Sequence, residues 1–203
     1  MIAQFFAWLK SLFAPKPVSP AVIVVPPAPH NPEAHPESPA ALKIGASGLT
    51  LIRHFEGCYL HAYQDSVGVW TIGWGRIKYD DGSPVKQGDS CDQAAADRWL
   101  LEDIEKDGSQ YVRGWAARAK VPLTQDQFDA LSSFTYNRGA GRFSQLVAMP
   151  GAIFDNILAF DFAGPKKEVL PGLTRRRWAE RAMFIHQDWT VFLGGDWRRF
   201  AHK

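Results

Sequence analysis

Residues 54–75 constrain the fold more than any other stretch, because a helical pattern changes there into a strand pattern within a few positions. Leu49, Ile52 and Glu56 lie at helical spacing on one face. Residues 67–75 then alternate between two faces, as the strands of a β-hairpin do. A helix end that faces a hairpin leaves a cleft, so we expect the chemistry of this chain there.

This stretch carries two carboxylates, Glu56 and Asp65. Hydrolysis of a glycosidic bond needs such a pair, one acid that protonates the leaving oxygen and one carboxylate that handles water or the developing cation. Glu56 ends an apolar run, so we expect it to be partly buried. Asp65 lies between Gln64 and Ser66, and we expect it to be the more solvated of the two. On spacing alone, the default interpretation of both is a pair of solvated surface residues.

The stretch belongs to a longer pattern. Glu56 is followed after eight residues by Asp65 and after five more by Thr71, within Gly-Val-Trp-Thr-Ile-Gly-Trp-Gly, and this resembles the phage-type lysozymes or endolysins of glycoside hydrolase family 24. Two further blocks resemble the same family in the same order. They are Pro-Leu-Thr-Gln and the residues after it, at 122–139, and Gly-Leu-Thr-Arg-Arg-Arg and the residues after it, at 172–181.

The resemblance implies cleavage of the β-1,4 bond between N-acetylmuramic acid and N-acetylglucosamine in bacterial peptidoglycan. It makes Glu56 the general acid, with Asp65 and Thr71 holding and activating a water that attacks with inversion. The residues alone leave that outcome open, since inversion needs carboxyl groups roughly 6.5–9.5 Å apart and retention about 5–5.5 Å. Thr71 also fits a purely structural role, because threonine is common in strands.

By the same resemblance, four further residues are expected to line the substrate cleft: Tyr63, Tyr136, Asn137 and Arg176. The amide of Asn137 could bind an N-acetyl or hydroxyl group of a sugar, and it could equally cap the end of a helix. Arg176 is expected to approach Glu56. The alternative for Arg176 is the solvated face of a basic helix.

One departure from the family concerns Arg76. Many relatives continue Gly-Tyr-Gly-His where this chain has Gly-Trp-Gly-Arg at 73–76. The missing histidine is not one of the three residues with expected catalytic roles. We therefore expect those roles to survive, and we expect any partner of the histidine to be satisfied by an arginine, whose charge does not switch near neutral pH.

Two helix starts carry capping boxes, in which a Ser or Thr side chain and a Gln three positions later bond each other's backbone N–H groups. Ser90 with Gln93 predicts the first start, and Gly108 is the expected end of that helix. Thr124 with Gln127 predicts the second start.

Composition divides the chain into three parts. Residues 1–14 form an amphipathic pattern that lies on a membrane surface, docks on protein or acts as an atypical export signal. They are too short for a transmembrane span of about 20 apolar residues. Residues 15–41 hold nine of the 14 prolines and predict a stiff linker. Residues 42–203 are expected to form the lysozyme (muramidase) domain. The resemblance implies an α+β, lysozyme-like fold, with a small antiparallel β lobe, a larger helical lobe and the active-site cleft between them.

Charge and composition exclude several classes of partner. The net charge is only +2, and no basic stripe, zinc finger or Gly-rich phosphate loop is present, so we expect no nucleic-acid partner. The histidines and the two cysteines, Cys58 and Cys91, lack the spacing of metal ligands, so we expect no metal and no cofactor. The cysteines either form a disulfide or stay as buried thiols.

We expect a monomer that is made in the cytoplasm of a bacterial host and acts on peptidoglycan in the periplasm. Two rival functions stay open. A lytic transglycosylase cleaves the same bond without net addition of water and would not need Asp65 and Thr71. A non-catalytic wall-binding protein would carry a dead site, and a membrane-active lysis protein would act through residues 1–14.

Overall fold

The computed structural model describes residues 41–65, 68–164 and 166–201. The predictions for residues 1–14, and for all of the linker but its last residue, lie outside the described residues. Contacts between Cα atoms divide the described chain into two compact units, which are Ile52–Asp103 and residues 41–51 with 104–201. In the described part of the chain, no helix combines the length and apolar character that crossing a lipid bilayer requires.

The first unit contains the predicted hairpin. Helix α1 (Ala46–Glu56) leads into strand β1 (Tyr59–Gln64), which pairs antiparallel with strand β2 (Trp70–Gly73). The register places Tyr63 opposite Thr71. The hairpin thus sets the position of Thr71 relative to the strand that leads to Asp65.

Helix α2 (Gln93–Ile104) closes the first unit, and its start differs from the prediction. Ser90 forms a β-bridge with His61 and therefore belongs to extended backbone. The carboxylate of Asp92 accepts a hydrogen bond of 2.7 Å from the backbone N–H of Ala95 instead. The prediction of a capping box at Ser90 is wrong, because Ser90 pairs with the first strand and lies outside the helix.

The second unit is mostly helical. It contains α3 (Gln110–Ala119), α4 (Gln125–Arg138), α5 (Ala140–Ala148), α6 (Ile153–Asn156), β3 (Phe162–Ala163), β4 (Glu168–Val169) and α7 (Pro171–Phe184), with 3-10 turns at Ile157–Phe160, Trp189–Leu193 and Trp197–Arg199. Strands β3 and β4 form a short antiparallel hairpin. The apolar core of the second unit joins residue 42 to the helices. Its members are Leu42, Val112, Ala116, Leu123, Phe128, Leu131, Phe134, Phe143, Leu146, Ile157 and Phe160. The predicted α+β class is confirmed.

The capping box at Thr124 is confirmed. The Thr124 side chain accepts from the backbone N–H of Gln127, and the Gln127 side chain accepts from the N–H of Thr124. Gly108, in contrast, does not end a helix, because the chain continues through a π-helical turn (Glu105–Ser109) into α3. A Cβ atom at Gly108 would lie 2.9 Å from the carbonyl oxygen of Ser132, so this glycine permits close packing against α4.

Asp129 of α4 caps the first turn of α1. Its carboxylate accepts hydrogen bonds from the backbone N–H groups of Gly45 (2.8 Å) and Gly48 (2.9 Å) and from the Gln125 amide (2.7 Å). A Cβ atom at Gly48 would lie 2.7 Å from the Asp129 side chain, so glycine permits this approach. The start of the helix that ends at Glu56 is thereby fixed by a residue of α4.

The burial of Asp129 predicts that the stability of the folded protein depends on pH. Burial raises the pKa of this carboxyl from 3.8 to about 6, against the three hydrogen bonds that lower the pKa. The folded protein therefore holds the proton more tightly than the unfolded chain. The stability that this group contributes is fully present below about pH 4 and is lost as the pH rises through about 6. The full change is about 3 kcal/mol.

The test compares wild type with Asp129→Asn, which has no titrating group at this position, by urea unfolding at pH 4, 5, 6 and 7. The difference in unfolding free energy between the two proteins isolates Asp129 from all other carboxyls. We expect the stability of wild type relative to the variant to fall across this range. A difference that stays constant with pH would contradict the assignment.

Candidate active site

Glu56 is the last residue of α1. Leu51 and Ile52, in the turn before it, are fully buried and anchor the helix in the core. Gly57, with φ of 75°, then turns the chain into β1. Glu56 itself is half-buried, as expected. The rigid end of a helix therefore presents this carboxyl beside the hairpin.

Asp65 lies where β1 enters the turn of the hairpin, and it is only 2% exposed. Its Oδ1 atom accepts a hydrogen bond of 2.8 Å from the backbone N–H of Val69. Its own backbone N–H donates to the Val69 carbonyl, and its carbonyl accepts from Gly68. The prediction that Asp65 is more solvated than Glu56 is wrong, because its carboxylate is buried and bonded to the backbone of Val69.

Thr71 is fully buried on β2, opposite Tyr63. Its hydroxyl donates to the carbonyl of Val69 over 3.2 Å. Val69 therefore bonds to both residues, through its N–H to the Asp65 carboxylate and through its carbonyl to the Thr71 hydroxyl. One backbone residue holds the two side chains that are expected to manage water.

Tyr63 lies within electrostatic reach of both carboxylates. Burial raises the pKa of its phenol, and the neighbouring Tyr59, Asp65 and Glu56 raise it further in that order. Its ring also packs against Tyr59, with centroids 4.4 Å apart. The phenol is thus a protonated hydrogen-bond donor beside both candidate catalytic groups. The first unit brings together Glu56, Asp65, Thr71 and Tyr63.

Tyr136 and Asn137 lie in the last turn of α4. The C-cap of this helix is Gly139, so the alternative that Asn137 caps the helix is wrong. The Oδ1 atom of Asn137 accepts a hydrogen bond of 2.9 Å from Arg177. That bond fixes the orientation of the amide. The NH₂ group of the amide then points away from Arg177 and can donate hydrogen bonds to another group.

Arg176 is fully buried in α7, so the alternative of a solvated basic face is wrong for this residue. Its Nε donates to Glu180 over 3.1 Å, and its Nη2 donates to the hydroxyl of Ser133 over 3.2 Å. Arg177 and Glu180 are also fully buried, and they bond through Arg177 Nη2 over 3.0 Å. Burial lowers the pKa of Arg177 to about 9.

Sequence reasoning missed the roles of Arg177, Glu180 and Ser133. Two adjacent arginines with a glutamate one helical turn later are a usable signal, because this spacing places the charges on one face of a helix. The Ser133 hydroxyl donates to Glu180 over 2.8 Å and completes the cluster from α4. That contact joins residues 47 positions apart, which local patterns do not indicate.

Arg76 is held by three carboxylates. Its Nη2 lies 2.9 Å from Asp80, 3.4 Å from Asp103 and 3.6 Å from Glu102. Its guanidinium also stacks over the Trp99 ring, 5.3 Å from the centroid. The arginine that stands where many relatives have histidine is therefore held by carboxylates and an aromatic ring of the first unit.

Cys58 and Cys91 are free, half-buried thiols in the structure. Burial raises the pKa of Cys58 to about 11, which keeps this thiol protonated at neutral pH. Its Sγ atom contacts the amide of Gln93 at 3.8 Å. Among the residues that the structure describes, no three His, Cys, Asp or Glu side chains are grouped so as to hold a metal ion.

Comparison with known proteins assigns a family to this arrangement. The sequence matches the phage lysozyme family over residues 53–180. An endolysin of Acyrthosiphon pisum secondary endosymbiont phage 1 is 32% identical over 157 residues, covering 70% of this chain and 98% of the relative. The endolysin of Salmonella phage P22 is 33% identical over 152 residues, covering 71% of this chain and 99% of that protein.

Solved structures agree with this match. An endolysin from Escherichia coli O157:H7 phage FAHEc1 superimposes with a TM-score of 0.62 at 33% identity, covering 71% of this chain and 94% of that chain. The muramidase domain of SpmX from Asticaccaulis excentricus superimposes with a TM-score of 0.54 at 29% identity, covering 71% of this chain and 98% of that chain. The lysozyme-like fold predicted from the sequence is confirmed.

Proposed function

The chain belongs to the phage lysozyme family and is a cell-wall hydrolase of the endolysin type, and from that premise we propose its specific reaction. The proposal is hydrolysis of the β-1,4 bond between N-acetylmuramic acid and N-acetylglucosamine in bacterial peptidoglycan. The observation that carries it is the link through Val69, which ties a buried carboxylate to a buried hydroxyl. A pair of this kind suits the holding of one water molecule.

In the proposed reaction, Glu56 is the general acid. It transfers its proton to the glycosidic oxygen as the bond to the anomeric carbon breaks, so the leaving sugar departs as an alcohol. Its place at the end of α1 supports this role, because a helix end holds a side chain in a fixed position. Tyr63 contributes a neutral phenol that donates a hydrogen bond to the substrate.

Asp65 and Thr71 act on water in this proposal. The Asp65 carboxylate takes a proton from the water as its oxygen attacks the anomeric carbon, and Thr71 orients that water through its hydroxyl. The hydrogen bond from Val69 holds Asp65 in one orientation, which favours precise positioning over adaptability. Attack from the face opposite the leaving group inverts the configuration at the anomeric carbon.

The products of purified peptidoglycan test this reaction. We expect mass spectrometry to find muropeptides with reducing muramic acid ends, each heavier by one water than the anhydro form. Proton NMR during the first minutes should find the new reducing end as the α anomer. Anhydro ends would identify a lytic transglycosylase, the β anomer would identify a retaining hydrolase, and uncut glycan would remove the glycosidase assignment.

A further inference from the structure

One carboxylate of the first unit bonds to three structural elements near the candidate catalytic residues. Asp97 lies in the second turn of α2, and its Oδ2 atom lies 2.9 Å from Nη2 of Arg53 on α1. Its Oδ1 atom accepts hydrogen bonds of 2.9 Å from the indole Nε1–H of Trp74, directly after β2, and from the amide of Gln93. A single side chain of α2 therefore connects α1 with the end of the hairpin.

The partners of Asp97 on α1 and on the hairpin are each close along the chain to a candidate catalytic residue. Arg53 is three positions before Glu56, and this spacing places the two side chains on neighbouring parts of the helix surface. Trp74 is three positions after Thr71, where the largely buried strand β2 has just ended. A displacement of Asp97 would therefore reach both the helix of the acid and the strand of the hydroxyl that is proposed to orient water.

The three side chains of Arg53, Trp74 and Asp97 contact one another, and we call them the Asp97 cluster. The guanidinium of Arg53 lies over the Trp74 ring, 5.8 Å from its centroid. Among the residues that the structure describes, Asp97 provides the only ion pair of Arg53, and the Nε atom of Arg53 is buried without a hydrogen-bond partner. The position of Arg53 thus depends strongly on the carboxylate of Asp97.

The backbone beside Asp97 is closely packed against the hairpin. A Cβ atom at Gly73, the last residue of β2, would lie 3.4 Å from the Cβ of Ala96, which is fully buried. Gly73 also has φ of 62°, in the left-handed region that favours glycine. The end of β2 therefore rests directly on α2, and the bonds of Asp97 extend this fixed contact to α1.

We propose that Asp97 is a positioning residue that sets the separation between the Glu56 carboxyl and the Thr71 hydroxyl, an inference that rests on the proposed function. An inverting hydrolase keeps its two carboxyl groups roughly 6.5–9.5 Å apart to admit water. A misplacement of about 1 Å can cost about 100-fold in rate. Asp97 acts here through Arg53 on α1 and through Trp74 on the hairpin, without touching the substrate.

The test compares steady-state cleavage of soluble, uncrosslinked glycan strands by wild type and by Asp97→Asn. Asparagine keeps the shape of the side chain and an oxygen for Trp74, but it removes the charge opposite Arg53. We expect kcat to fall about 10-fold and KM to change by less than about 2-fold, because only the alignment of the reacting groups is altered. Asp97→Glu restores the charge on a longer side chain and should recover part of the lost kcat.

Asp80→Asn is the matched control in the same unit. Asp80 also lies 2.9 Å from an arginine, through Nη2 of Arg76. Arg76 keeps its contacts with Asp103 and Glu102 when Asp80 is replaced, so we expect the wild-type kcat. Equal losses of kcat from this control and from Asp97→Asn would overturn the proposal, because they would show a general effect of charge. A change confined to KM would also overturn it.

Trp74→Phe tests the Asp97 cluster from its other end and keeps the proposal testable if Asp97→Asn does not fold. Phenylalanine retains an aromatic ring and lacks the N–H that bonds to Asp97. The loss of one hydrogen bond should lower kcat about 3-fold. In an Asp97→Ala background, the same substitution should have no further effect, because its partner is already absent. An unchanged kcat for the single variant, or the full loss in the Asp97→Ala background, would contradict the proposal.

The wild-type reaction separates this proposal from the proposed function. Uncut glycan with the wild-type protein would remove the muramidase assignment, and the positioning role of Asp97 with it. Wild-type cleavage, together with an unchanged kcat in both Asp97→Asn and Trp74→Phe, would remove the positioning role alone.

Discussion

Glu56→Gln is expected to lower the rate of peptidoglycan cleavage by about 100-fold or more, since a general acid contributes on the order of 10²–10⁴-fold to such reactions. Glutamine preserves the shape of the side chain and removes only the proton that the leaving oxygen needs. The measurement is release of soluble muropeptides from purified peptidoglycan. Binding to the insoluble wall, followed by sedimentation, should be unchanged.

Glu102→Gln is the matched control for this loss. Glu102 belongs to the same unit, its side chain is 46% exposed, and its contacts with Arg76 and Arg98 are long, at 3.6 Å and 3.9 Å. We expect the Glu102→Gln variant to cleave peptidoglycan at the wild-type rate. Cleavage by Glu56→Gln at the same rate as by Glu102→Gln would assign the acid to another residue, provided that both variants unfold at the wild-type temperature.

Glu180→Gln should have the largest effect on stability. It leaves the fully buried Arg176 and Arg177 without their shared carboxylate, and removing one partner of a buried pair costs about 3–5 kcal/mol. For a chain of this size, the melting temperature should fall by on the order of 10 °C. Differential scanning calorimetry measures this change directly.

An exposed ion pair in the same unit provides the comparison. Asp155→Asn removes the carboxylate 3.1 Å from Arg181, but the Asp155 side chain is 59% exposed. Water can solvate the arginine that remains, so we expect a loss below about 1 kcal/mol. Similar losses from Glu180→Gln and Asp155→Asn would contradict a structural role for the buried cluster.

Local patterns in the sequence were sufficient for several elements. The capping box at Thr124 lies within four residues, so the sequence contains all of its partners. The hairpin that places Asp65 and Thr71 follows from alternation and a short turn. The burial of Asp65 could not be predicted in the same way, because it depends on the position of the Val69 backbone, which bonds to the carboxylate.

Contacts over long sequence separations explain the remaining errors and omissions. The cap of α1 comes from Asp129, and its partner Gly45 lies 84 positions earlier, so no local pattern indicates it. Gly108 has the composition of a helix end, but its role is set by the carbonyl of Ser132 on a packed neighbour. Arg176 has the pattern of a solvated charge, and burial with Glu180 and Ser133 reverses that interpretation.

The cap from Asp129 also affects how the protein is made. Gly48 and Asp129 are 81 residues apart, so a ribosome that adds roughly 5–20 residues per second needs roughly 4–16 seconds to supply the second partner after the first. Throughout that interval, the first turn of α1 has been synthesised but lacks its cap. Leu42 likewise lacks the α4 residues that belong to its core cluster. A nascent chain that stops before α4 therefore contains Glu56, Asp65 and Thr71, but the helix that ends at Glu56 still lacks its cap.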